Sequence, residues 1–244
     1  MCGIFSLLLD RPSSEDNKLS QNRNYYLEIS KKIRHRGPDW NGIYIDDEND
    51  VLICHERLSI VGVDNGSQPI VSPDGNLVLS VNGEIYNYKG LLDTVLQNKY
   101  QLETKSDCEI IIYLYREFGL NFVKMLDGIF SFVLYDKENK KYIIARDPIG
   151  IIPLYYGFTG DNNLMVASEM KCLVDDCETI GKFPPGHIVE VSILDDHNNL
   201  KSQFTDNLTR YYNPIWKQSS MSEELNEELL CQQINQSLTK SVDK

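Results

Sequence analysis

Cys2 stands directly behind Met1. Initiator methionine is normally removed when the next side chain is small, and Cys2 would then carry a thiol and a free α-amine on one residue. An α-amine with a reference pKa of about 7.7–8.0 takes up a thiol proton near neutral pH, directly or through a water, so one residue would supply both nucleophile and base. Taken alone, a cysteine early in an apolar run reads more readily as a buried thiol. Position two is what changes the weighing.

Further groups could serve such a nucleophile. In NGEIYN, residues 82–87, the side-chain amide of Asn82 and the backbone N–H of Gly83 could both point at one oxygen, as an oxyanion hole requires. Each such donor is worth ~10²–10³ in rate, although Asn-Gly is also a strong hairpin-turn signal. In HERLSIV, residues 55–61, Arg57 interrupts an apolar strand, and either sits solvated at a sheet edge or clamps a carboxylate with two hydrogen bonds. In SDCE, residues 106–109, Asp107 is either a first-turn acid favoured by the helix dipole or the partner of a ligand ammonium group. RHRGPDW, residues 34–40, packs Arg34, Arg36 and Asp39 around a turn, which suggests a polar network without direct chemistry.

The elements that must position these groups are mostly strands. Short apolar and β-branched runs (CGIFSLLL, VLICHERL, NLVLSVNG, GIFSFVLYD, KYIIARD, IPLYYGF, NLMVAS and HIVEVSIL) recur between Gly, Asn, Asp and Pro, with hairpins predicted across Asp136–Lys140 and Thr159–Asn163. Tyr26, Ile29 and Ile33 predict one helix, and Leu91, Leu92, Val95 and Leu96 a second. A third follows SDCE, which has capping-box form, with Ile110, Ile111, Leu114 and Phe118 as its stripe and Gly119 at its end. Many strands with few helices indicate an α+β layered sandwich of two sheets faced by helices. After about Asp195 a polar stretch reads as a long connection or hairpin excursion. From Ser222 an amphipathic helix carries Leu225, Leu229, Leu238 and Val242 near one face and needs something to pack on.

The 244 residues, 41% hydrophobic and 25% charged, suit a soluble globular chain. A formal net charge of −12 argues against a general nucleic-acid binder and favours small-molecule or protein partners. The 6 cysteines include no CxxC pair and the 4 histidines no metal-ligand spacing, so reduced cytosolic thiols and no metal site are expected. The apolar N-terminal run ends at Asp10 and Arg11, too early for a secretory signal or a membrane span.

In order, CGIF, RHRGPDW, HERLSIV, NGEIYN, SDCE and RDPIGIIPLYYG, over roughly residues 2–190, resemble the glutaminase domain of glutamine-dependent asparagine synthetase. That domain is a class II amidotransferase of the N-terminal-nucleophile hydrolase superfamily. The resemblance implies a four-layer αββα sandwich and a glutaminase domain over 2–195, followed by a connecting segment at 196–221 and the start of a truncated synthetase domain at 222–244. It assigns Cys2 as nucleophile, Asn82 and Gly83 as oxyanion donors, and a glutamine pocket of Arg57, Leu58, Ser59, Ile60, Val61, Asn82, Gly83, Glu84 and Asp107. Arg57 would take the α-carboxylate; Asp107 and the Gly83–Glu84 segment would take the α-ammonium.

The implied reaction is hydrolysis of glutamine through a γ-glutamyl thioester, with ammonia passed to a synthetase domain that amidates ATP-activated aspartate. No cofactor is implied for this chain. ATP and magnesium belong to the missing domain, since the family's Ser-Gly-Gly-Leu-Asp-Ser loop occurs nowhere here. Ser6 for Gly, VGVD at 61–64 and Lys105 before SDCE depart from the commoner pattern. The partners implied are glutamine and the synthetase domain, in the cytoplasm, and the apolar face of the tail helix makes a homodimer a further expectation. The alternatives are the glutaminase half of another amidotransferase, or a silent glutamine-binding or assembly module.

Overall fold

Side chains alternate between the faces of a strand, and in central strands such as Gly3–Leu8 and Val51–Arg57 every residue is buried, so these strands are covered on two sides. The computed structural model describes residues 1–10, 18–59, 66–193, 199–214 and 226–242. Met1–Tyr212 forms one compact unit and Asn213–Lys244 a second. The strands of the first unit are β1 (Gly3–Leu8), β2 (Trp40–Asp46), β3 (Val51–Arg57), β4 (Ile70–Val71), β5 (Leu77–Ile85), β6 (Gly128–Asp136), β7 (Lys141–Arg146), β8 (Tyr155–Thr159), β9 (Leu164–Ala167), β10 (Cys177–Lys182), β11 (His187–Ser192) and β12 (Thr209–Arg210). Among the described residues they form two sheets, ordered β10-β8-β9-β1-β3-β2 and β12-β11-β7-β6-β5-β4. The hairpins at 136–140 and 159–163 join β6 to β7 and β8 to β9.

Alternation sorts the core into three layers. Ile4 and Leu8 of β1, Val51 and Ile53 of β3, Val78 of β5, Val133 and Tyr135 of β6 and Ile144 of β7 meet between the sheets. Their neighbours Phe5, Leu7, Leu52 and Cys54 face outward onto Ile29 of helix α1 (Arg23–Lys31) and the following Ile33. On the other sheet, Leu79, Val81, Phe132, Leu134 and Ile143 face outward onto helix α3 (Ile110–Phe118). Helix, sheet, sheet, helix is the αββα sandwich that the resemblance implies.

Several elements differ in detail from the sequence reading. The helix of Leu91 and Val95 is one short α-turn, α2 (Tyr88–Gly90), continued by a π-helical turn at Leu91–Val95. SDCE forms no capping box: Ser106 makes no side-chain cap, and the buried Glu109 carboxylate accepts the backbone N–H groups of Glu103 and Thr104. It ties down the preceding loop instead, and Gly119 ends α3 at φ 53° as expected. Within the segment read as a connection, α4 (Leu200–Asn207) sets Phe204 against Tyr156, Phe158 and Phe183, and β12 pairs with β11. In the second unit, α5 (Glu227–Val242) carries Leu229, Leu238 and Val242 of the expected stripe, while Leu225 lies outside the described residues.

Candidate active site

Register brings distant motifs together. β1 runs antiparallel to β3 with Gly3 opposite Glu56, so Cys2 meets the chain leaving Arg57. The backbone N–H of Leu58 donates to Cys2 Sγ at 3.4 Å, and the Leu58 carbonyl lies 3.7 Å from the same sulfur. Burial pushes the Cys2 thiol up; the Leu58 N–H and the positive charges of the N-terminus, Arg57 and Arg36 pull it down without cancelling the rise. A base beside the sulfur is therefore what this thiol needs in order to ionise.

Asn82 reaches Cys2 from the other sheet. The Cys2 backbone N–H donates to Asn82 Oδ1 at 3.0 Å. With Oδ1 so occupied, the remaining group of the amide is the Nδ2 donor, which is buried and has no hydrogen-bond partner among the described residues. Asn82 and Gly83 lie inside β5, paired with Ser131 and Phe130 of β6, and form no turn. A Cβ on Gly83, whose φ is 154°, would lie 2.1 Å from the Ile129 carbonyl and 2.6 Å from Phe130 Cα, so the close approach of β6 requires glycine.

Cys2, Arg57, Leu58, Asn82, Gly83, Glu84 and Asp107 all line one cavity of about 110 Å³, and Met1 occupies part of its wall. Arg57 is 7% exposed on a strand flanked by β1 and β2, which removes the solvated-edge reading. Asp107 Oδ2 accepts the Ile85 N–H at 2.6 Å. Ser59 stands outside the cavity lining and donates its backbone N–H to Asp39 at 2.8 Å. Ile60 and Val61 lie outside the described residues.

Sequence reasoning missed the support beneath Cys2. Arg36 donates through Nε to the Cys2 carbonyl at 2.9 Å and through Nη1 to Glu169 at 3.1 Å. Glu169 also holds His35 at 2.9 Å and Lys171 at 3.0 Å. Its burial, which raises a carboxyl, is outweighed by hydrogen bonds from Lys171, Arg36 and His35, which hold it down at about 2. A signal for Arg36 and Asp39 was present in RHRGPDW; nothing around Glu169 marked it. Gly37 lets this turn sit against β3, since a Cβ there would lie 2.2 Å from the Glu56 carbonyl.

A cysteine ahead of a central strand, bonded to Asn82 of the opposite sheet beside a shared cavity, fits what the family comparison finds: the glutamine amidotransferase domain model matches residues 1–203. The chain belongs to the glutamine amidotransferase family. It is 45% identical over 217 residues to a probable glutamine-hydrolyzing asparagine synthetase of Dictyostelium discoideum, covering 88% of this chain and 36% of that protein. The Schizosaccharomyces pombe protein of the same description is 46% identical over 218 residues, with 88% and 36% covered. A rice asparagine synthetase is 44% identical over 221 residues, with 91% and 34% covered. The chain thus spans about a third of the length of these relatives.

Among solved structures, the allosteric regulatory enzyme of purine biosynthesis superposes with TM-score 0.65 at 21% identity, covering 88% of this chain and 50% of the other. The glutamine phosphoribosylpyrophosphate amidotransferase from B. subtilis gives 0.63 at 22% identity with the same coverage. At such identities the amidotransferase likeness is one of fold. No helix among the described residues is long and apolar enough to cross a membrane, and no group of three His, Cys, Asp or Glu is placed there to hold a metal ion.

Proposed function

We propose that this chain is the glutamine-hydrolysing part of an asparagine synthetase, with Cys2 as nucleophile once Met1 is removed. The observation that carries the reading is the clamp of Cys2 by Asn82: Oδ1 accepts from the Cys2 nitrogen and leaves a buried, unpartnered Nδ2 donor in the same cavity as the thiol. Removal of Met1 does two things at once. It turns a non-basic amide nitrogen into an amine that takes the thiol proton, and it vacates part of the cavity wall.

The thiolate then attacks the side-chain amide carbon of glutamine, and the resulting oxyanion is held by Asn82 Nδ2 and the Gly83 N–H. Collapse breaks the C–N bond, with the Cys2 ammonium returning its proton to departing ammonia. Water, deprotonated by the same amine, hydrolyses the thioester to glutamate and restores the thiol. Arg57 pairs with the α-carboxylate, against Leu58 and the 59–61 stretch, and Asp107 with the Gly83–Glu84 segment receives the α-ammonium. Amidation of aspartate with ATP and magnesium belongs, in this reading, to a synthetase portion that residues 222–244 would begin and 196–221 would join to the glutaminase. The setting is the cytoplasm, and a homodimer completes the proposal.

Intact mass before and after a glutamine-like diazo-ketone tests the site. Loss of Met1 and one added label, absent from Cys2→Ala, is the expected result; a Met1-free chain that takes no label overturns it.

A further inference from the structure

We propose that Cys108 is a positioning residue for the α-ammonium end of the glutamine pocket, holding its two acceptors in place; this rests on the glutaminase reading above and deepens it. Cys108 follows Asp107 and lines the same cavity as Cys2. Its Sγ lies 3.5 Å from the Gly83 carbonyl oxygen and 3.7 Å from Asp107 Oδ2. Both oxygens belong to the groups, Asp107 and the Gly83–Glu84 segment, that receive the α-ammonium in the glutaminase reading.

The thiol is suited to be a donor and nothing else. It is buried, and burial first, then the negative charge of Asp107, push its proton affinity well up. At neutral pH it stays S–H, so it does not compete with Cys2 as a nucleophile. Its hydrogen is shared between the carbonyl and the carboxylate, and Asp107 Oδ2 is held from a second side by the Ile85 N–H at 2.6 Å. One carboxylate oxygen is thus fixed in place, and the peptide after Gly83 is turned so that its carbonyl converges on the same sulfur.

At the reacting end, the cavity holds a buried and unpartnered donor, Asn82 Nδ2, one residue before the glycine whose carbonyl Cys108 orients. The two ends of the pocket are therefore set by one short piece of β5. Its N–H side addresses the oxyanion and its C=O side the ammonium, and Cys108 holds the second. A weak S–H donor that preorganises acceptors affects binding of the ammonium and leaves the chemistry at the amide alone.

The test uses the full chain with Cys2→Ala, so that substrate is bound and not consumed. Titration calorimetry compares L-glutamine with the monoamide of glutaric acid, which lacks the α-amine, for Cys108, Cys108→Ala and Cys108→Ser. The expected result is about tenfold weaker glutamine binding in Cys108→Ala, an unchanged affinity for the monoamide, and recovery to within about threefold in Cys108→Ser, whose hydroxyl still donates. In the Met1-free chain with Cys2 intact, Cys108→Ala should raise KM by a similar factor and leave kcat within about twofold.

Equal weakening for both ligands, or none for glutamine, overturns the positioning role while leaving the glutamine pocket standing. No binding of glutamine by Cys2→Ala at all overturns the pocket reading and this role with it. Selective weakening of glutamine in a protein whose Met1-free form releases no glutamate supports the positioning role and overturns the glutaminase.

Discussion

At Asn82 the proposed function gives one amide two jobs with two different atoms, and the substitution that separates them is Asn82→Asp. An aspartate can still accept from the Cys2 nitrogen, as Oδ1 does at 3.0 Å, but it has no N–H to offer an oxyanion. Glutamate release should fall by ~10²–10³ in kcat with little change in KM, because the lost donor acts only once charge develops. Steady-state kinetics on Met1-free protein check this. A loss confined to KM would mean that Nδ2 contacts ground-state substrate instead. The complementary prediction concerns the base: a chain that uniformly retains Met1 should show no turnover, since its Cys2 nitrogen is an amide. Normal glutamate release from such material would overturn the N-terminal-base mechanism. Residue types made Cys2, Asn82, Gly83, Arg57 and Asp107 legible as candidates in the sequence, because a thiol, amide donors, a cation and an anion each carry a recognisable charge or hydrogen-bonding capacity, and the fold lines one cavity with them. Glu169 was not legible. Its role depends on meeting, across the fold, the Arg36 that holds the Cys2 carbonyl, and no local pattern encodes that meeting.

Among the elements, the turn after β7 shows how a loop is held without regular structure. The buried Asp147 carboxylate accepts backbone N–H groups from Ile149 at 3.1 Å, Gly150 at 2.6 Å, Ile151 at 3.0 Å and Ile152 at 3.0 Å. Arg146 locks the same loop by donating to the carbonyls of Gly150, Ile152 and Phe183. Ile152 in turn forms part of the wall of the active-site cavity. Asp147→Ala leaves these donors without their shared acceptor and should cost about 3 kcal/mol, read as a lower urea midpoint with an unchanged slope. Asp147→Asn, which retains one carbonyl acceptor, should lose less. This kind of element defeats short-range sequence rules in both directions. SDCE has the letters of a capping box, yet Glu109 turns back to the 103–104 backbone; NGE has the letters of a turn, yet lies within β5, in register with Ser131, Phe130 and Ile129 of β6. The hairpins at 136–140 and 159–163 were readable, since there the local turn chemistry and the tertiary pairing agree.

For the molecule as a whole, the layered architecture followed from apolar periodicity, whereas the pairing order of the strands did not, because register is fixed by contacts between distant segments. The same limit applies to His55, which reads as one more strand residue but sits fully buried between the sheets, bonded through Nδ1 to Ser80 Oγ at 2.9 Å. Burial, and secondarily the positive charge of Arg57, hold its pKa down to about 3, against about 6.5 in an unfolded chain. Between those values the unfolded chain binds a proton that the folded chain refuses, so stability rises with pH through this window and is lost on acidification. Integrated from pH 6 down to pH 5, this one residue costs about 1 kcal/mol of stability. Glu169, depressed to about 2, has the same sign but acts below the ordinary carboxylate range, so the upper window isolates His55. In His55→Gln, where an amide replaces the titrating ring, the drop in unfolding free energy between pH 6 and pH 5 should be smaller than in the parent by that amount, whatever the variant's absolute stability. Urea titrations of both proteins at the two pH values measure it. Parallel losses would mean that the folded chain protonates His55 after all and that the space between the sheets admits charge.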